Sequence, residues 1–78
     1  MISVGDTVKV TGKTTALDED GDEVLKELIP IGTICTVTAI EEFSGKEYYE
    51  ATPLVAKDGF LYDANDLEKG HLEWVKDE

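Results

Sequence analysis

Short runs of alternating apolar and polar residues, punctuated by glycine, proline and acidic turns, make up most of this chain. Thr7-Val8-Lys9-Val10-Thr11 alternates β-branched and polar residues between Gly5-Asp6 and Gly12, which predicts a first strand bounded by turn residues. Thr33 to Ile40 is richer still in β-branched residues and long enough to cross a small sheet, so it is expected to be central. Glu41 to Lys46 reads as a loop with a glycine-bearing turn, and Glu47 to Thr52 returns as a strand. Pro53 has no N–H for a ladder, so that strand ends, bulges or lies at an edge there. Leu54-Val55-Ala56 and Phe60-Leu61-Tyr62 flank Lys57-Asp58-Gly59, where Asp-Gly signals a hairpin, and Leu72 to Val75 is the last strand.

Two segments follow a helical spacing instead. Val24, Leu25, Leu28 and Ile29 lie three and four apart, which fits a helical turn or two closed by Pro30 and Gly32. Asp63 to Glu68 offers a capping residue and a short helical turn closed by Gly70. The expected core draws on Val8, Val10, Ile34, Val37, Leu61, Leu67 and Trp74. Tyr48 and Tyr49 must point to opposite faces of their strand, so one is expected in the core and the other exposed.

Length and charge narrow the function. A chain of 78 residues has room for one core, so residues 1–78 are read as a single domain with no space for a separate substrate domain. Eighteen acidic residues stand against seven lysines and no arginine, a formal net charge of −11. Phosphate recognition needs a basic stripe and leans on the guanidinium fork, so nucleic acid is disfavoured as a direct partner, and anionic membrane surfaces with it. Cys35 is the single cysteine and sits in an apolar run, which excludes an internal disulfide and points to a reducing, cytoplasmic setting. Residues 1–6 carry neither a basic nor an apolar leader pattern, and no apolar stretch reaches the length of a membrane span.

Val4-Gly5-Asp6-x-Val8-x-Val10, Ile31-Gly32-x-Ile34-x-x-Val37, and Tyr62 followed by Asp66-Leu67-Glu68 together resemble the small SH3-like and KOW-like barrel proteins of bacteriophages and prophages of Gram-positive bacteria. The resemblance spans nearly the whole chain and rests on structural positions. It implies a mostly β fold, a five-stranded SH3-like barrel with a long acidic loop after the first strand and a short helical turn before the last. Nucleic-acid-binding KOW-type domains usually carry a basic loop after the first strand, whereas here that loop holds Asp18, Glu19, Asp20, Asp22 and Glu23. RNA binding is therefore not carried over.

Candidate chemistry is sparse. Aligning Gly21 with the turn glycine of an EF-hand loop places Asp18 and Asp20 at ligand positions and Glu27 at the closing one, but puts Ala16 at the first ligand and Glu23 at the apolar pairing position. No metal, cofactor or catalytic residue is assigned on these grounds. His71 has no second histidine or cysteine at ligand spacing, and a cysteine buried in a strand is a core residue before it is a nucleophile. Tyr48, Tyr49, Phe60, Tyr62 and Trp74 would serve a peptide groove or, more simply, core and rim packing. The expected function is a non-enzymatic acidic protein-interaction module of the cytoplasm. Asp18, Glu19, Asp20, Asp22 and Glu23, with Glu41, Glu42, Glu47 and Glu50, would face a basic protein surface as a mimic of nucleic acid. The alternatives are an accessory module of ribosomal or transcription machinery, or charge serving solubility alone.

Overall fold

The computed structural model of the chain describes residues 1–56 and 58–75. Among these residues there are seven strands: β1 (Thr7–Val10), β2 (Thr14–Leu17), β3 (Glu23–Lys26), β4 (Ile34–Phe43), β5 (Lys46–Val55), β6 (Asn65–Glu68) and β7 (Leu72–Trp74). A single 3₁₀ turn, Lys69–His71, separates the last two, and there is no α-helix among the described residues. The strands form one antiparallel sheet in the order β3-β2-β6-β5-β4-β1-β7, curled into a half-barrel.

The two long strands build the curl. β4 pairs with β1 through Thr7↔Thr36, Val8↔Cys35 and Lys9↔Ile34, then runs on with β5 alone to Phe43↔Lys46. Its register with β5 shifts between Ile34 and Cys35 and again between Val37 and Ala39. Such irregularities bend a strand and increase its twist, which lets one β4 serve both halves of the sheet. Ser44 (φ 52°) and Gly45 (φ 78°) join the pair in a two-residue turn with both residues at positive φ, the type I′ geometry that matches strand twist. Glu41, Glu42 and Phe43 are therefore strand residues rather than the expected loop. Pro53 lies opposite Cys35 at one shift, and β5 loses its β6 partner after Ala51↔Asn65, so the proline occupies both a bulge and a local edge.

Seven strands replace the five expected, and the added pair comes from the acidic excursion. β2 and β3 pair from Thr14↔Lys26 to Leu17↔Glu23, so Val24 and Leu25 are strand and not helix. A helix of six residues cannot offset its own nucleation cost, whereas pairing satisfies the same backbone groups at once. Asp18 Oδ1 organises the connecting turn by accepting from Asp20 N at 2.9 Å and Asp22 N at 2.8 Å. Asn65–Glu68, expected as a helical turn, is strand β6 and pairs with both β5 and β2. No strand forms over Phe60–Tyr62; of the expected hairpin turn there, Lys57 lies outside the described residues.

Val8, Val10, Ile29, Cys35, Val37, Tyr49, Ala51, Leu67 and Leu72 form the core. Three of the expected core residues are corrected. Ile34 is only half-buried, Trp74 is 52% exposed because β7 is an edge strand, and Leu61 is 100% exposed on a segment with no ladder partner. His71 is more than a surface histidine: its backbone carbonyl accepts from Thr11 N and Gly12 N, and its Nδ1 lies 2.9 Å from the Lys13 carbonyl oxygen. A Cβ at Gly12 would stand 2.7 Å from the His71 ring, so only glycine allows this closure of the first connection onto the last turn.

Val37→Ala should lower the unfolding free energy by about 2 kcal/mol through lost transfer energy and a residual cavity. Gly12→Ala should cost about 1–3 kcal/mol through the forced displacement of His71. Urea melts measure both, and wild-type midpoints would remove these residues from the packing described.

Candidate acidic protein-binding face

Strand alternation sorts side chains onto two faces of the sheet, and register ties the strands together across each face. Tyr49 pairs with Leu67 and Ile40 on the core face. On the other face, Glu41 pairs with Tyr48, Tyr48 with Glu68, Glu50 with Asp66, Asp66 with Thr15, and Leu17 with Glu23. Five carboxylates from β3, β4, β5 and β6 thus share one face. Lys46 reaches Glu68 at 4.0 Å, the one ion pair among the described residues.

Within this face Leu17, Phe43 and Tyr48, with Glu23, Glu41 and Asp66, line a hollow of about 180 Å³. Thr15 also lines it, and its buried hydroxyl oxygen has no hydrogen-bond partner. Leu17 and Phe43 are exposed, whereas Tyr48 is only 5% exposed. The Tyr48 hydroxyl donates to Glu23 Oε2 at 2.6 Å, across from β5 to β3. That bond to a carboxylate pushes the phenol up to about 12, with desolvation and further nearby carboxylates adding to it. Asp66 is held above the usual carboxylate range, first by desolvation and then by the charge of Glu50.

Both tyrosines expected to divide between core and solvent are buried. They do point to opposite faces: Tyr49 enters the core and donates its hydroxyl to Glu47 Oε1 at 2.5 Å, while Tyr48 is covered by the β2–β3 hairpin. Of the nine acidic positions singled out in the sequence, Glu23, Glu41 and Glu50 lie on the face just described. Asp18, Asp20 and Asp22 gather at the hairpin turn, their carboxylate oxygens within 4.8 Å of one another, with exposed Glu19 beside them. Glu42 and Glu47 oppose each other in register on the side of Tyr49. The nine are therefore split among two faces and a turn. One Asp18 oxygen is already committed to two turn amides, and Glu27 is not part of the cluster.

Asp66, Glu68 and Phe43 belong to the face but were not among the expected site residues, and Tyr48 was expected only for a peptide groove or for packing. Asp66 and Glu68 alternate around buried Leu67, a period of two that the helical reading of Asp63–Glu68 obscured. Cys35 is buried, and desolvation pushes its thiol up to about 11, which disfavours the thiolate. No family model, curated protein or solved structure matches the chain.

Two titrations check this geometry. An ultraviolet pH titration should show one phenol ionising near pH 12; Glu23→Gln should bring it down and Tyr48→Phe should remove it. Because the folded value lies above the unfolded one, the contribution of this bond is complete below the unfolded value near pH 10 and is lost as pH rises towards 12. The same sign holds for Asp66, whose raised value means that its charge disfavours the folded state at neutral pH. Asp66→Asn should therefore stabilise the fold at pH 7, with the advantage vanishing below the ordinary carboxylate range. Equal or lower stability at pH 7 would contradict the placement of Asp66.

Proposed function

We propose that this chain is a non-enzymatic interaction module that presents its acidic face to a basic protein surface, competing there as a mimic of nucleic acid. The observation that carries the reading is the convergence of Glu23, Glu41, Glu50, Asp66 and Glu68 on one face of a hydrogen-bonded sheet. Carboxylates held on strands keep their spacing, so the face offers a fixed charge pattern rather than a mobile acidic tail. A net charge of −11 adds a long-range field that repels phosphate and steers basic proteins inward. Asp18, Glu19, Asp20 and Asp22 extend that field from the hairpin turn.

The order β6-β5-β4-β1-β7, with a 3₁₀ turn before the last strand, supports reading the framework as an SH3-like barrel whose first long connection has folded into the β2–β3 hairpin. Such barrels host unrelated functions, so the functional reading rests on the face and not on the framework. One observation favours a second reading, an accessory or adaptor module that docks through apolar surface: Leu54, Val55, Phe60 and Leu61 are all exposed along one stretch of chain.

Salt and substitution separate the two. Partners captured on the immobilised chain at low ionic strength should be basic proteins that elute as salt rises. Replacing Glu41, Glu50 and Asp66 together by their amides should slow association several-fold while thermal melts show a folded chain. The amides of Asp18, Glu19, Asp20, Asp22 and Glu23 should weaken the same partner further, and duplex DNA or RNA should show no binding at physiological salt. A partner that holds in high salt and is lost with Leu61→Ser would establish the adaptor reading instead.

A further inference from the structure

A hollow of about 180 Å³ is smaller than the usual pocket for a drug-sized ligand, roughly 300–1,000 Å³, and suits a single side chain. Its walls combine two kinds of group. Phe43, Leu17 and the Tyr48 ring supply apolar and aromatic surface, and Glu23, Glu41 and Asp66 supply negative charge from three different strands. No lysine lines it. The Tyr48 hydroxyl holds the Glu23 carboxylate through a hydrogen bond between strands, so that part of the wall is set before any partner arrives. Thr15 contributes a buried hydroxyl oxygen without a partner.

From this charge complementarity we infer that the hollow takes one arginine side chain of a basic protein, its guanidinium facing Glu23, Glu41 and Asp66 and its plane against the Phe43 and Tyr48 rings. The inference rests on the reading of the acidic face above and names the group that would anchor it. Arginine fits better than lysine because a planar guanidinium donates to more than one carboxylate at a time and also stacks on aromatic faces, whereas an ammonium is a compact and strongly hydrated point charge. The methylene stem of the same side chain would cover Leu17, which is otherwise left to solvent. The remaining acidic residues would then steer the partner, and the hollow would set its register.

Titrating the full chain with N-acetyl-arginine amide, followed by backbone amide shifts, tests this. Shifts should concentrate at Phe43, Tyr48, Glu41 and Asp66, and N-acetyl-citrulline amide, which has the shape without the charge, should produce none. Phe43→Ala, at an exposed position, should weaken arginine binding about threefold and the lysine analogue less. Glu41→Gln combined with Asp66→Asn should weaken it about fivefold or more. Octalysine, titrated in parallel, reads the acidic face as a whole. Arginine shifts spread over Asp18–Asp22, or unchanged affinity in both variants, would overturn the inference while salt-sensitive octalysine binding kept the acidic face intact. Failure of octalysine as well would remove the underlying reading.

Discussion

A hydrogen bond from the Tyr48 hydroxyl to the Glu23 carboxylate is what makes the acidic side of this sheet a surface with a shape. The β2–β3 hairpin meets the rest of the sheet through one register pair, Thr15↔Asp66. Ile29 anchors the chain just after the hairpin in the core, and the Thr14 hydroxyl, donating to the Lys26 carbonyl and accepting from Leu28 N at 3.2 Å, closes its base. Neither contact fixes how the outer end of the hairpin lies against β5. Tyr48 does so from the opposite strand, and in return the hairpin removes it from solvent although it points away from the core. Both faces of β5 are thereby covered at adjacent residues, which a lone antiparallel sheet with one wet face would not achieve.

That coverage has an electrostatic consequence. Bringing β3 and β6 against β5 gathers Glu23, Glu50, Asp66 and Glu68 on one face, where Lys46 reaches Glu68, and partly desolvates Asp66 beside Glu50. Like charges held together work against the compact state, and a domain this small has little burial with which to resist. The Tyr48–Glu23 bond offsets part of this by giving one of the carboxylates a neutral donor. A cationic partner of the kind proposed would relieve that repulsion on binding.

How much of this was legible in the sequence depends on the signal each element carries. β1 and β7 alternate apolar and polar residues and β4 opens on a β-branched run, and the positions of Val8, Val10 and Val37 in the core follow from those patterns. The segment from Thr14 to Lys26 was obscure because its strands are short and half-exposed, and the spacing of Val24, Leu25, Leu28 and Ile29 imitates a helix of which only Ile29 is buried. Trp74 and Leu61 were expected in the core, but position in the sheet decides burial, and an edge strand or an unpaired loop leaves even a large residue wet. The acidic residues were visible as composition. Their division into a face, a turn and an opposed pair depends on register, which no local pattern specifies once β4 and β5 carry bulges.

A double-mutant cycle of Tyr48→Phe and Glu23→Gln, read by urea unfolding of the full chain at neutral pH, measures whether this hydrogen bond holds the hairpin in place. If the hydroxyl of Tyr48 and the carboxylate of Glu23 hold the hairpin to β5, each single change destabilises the fold and the second adds less than it does alone, giving a clear coupling between them. Strictly additive effects, with hydrogen-exchange protection of Thr15 and Leu25 unchanged in all three variants, would contradict it.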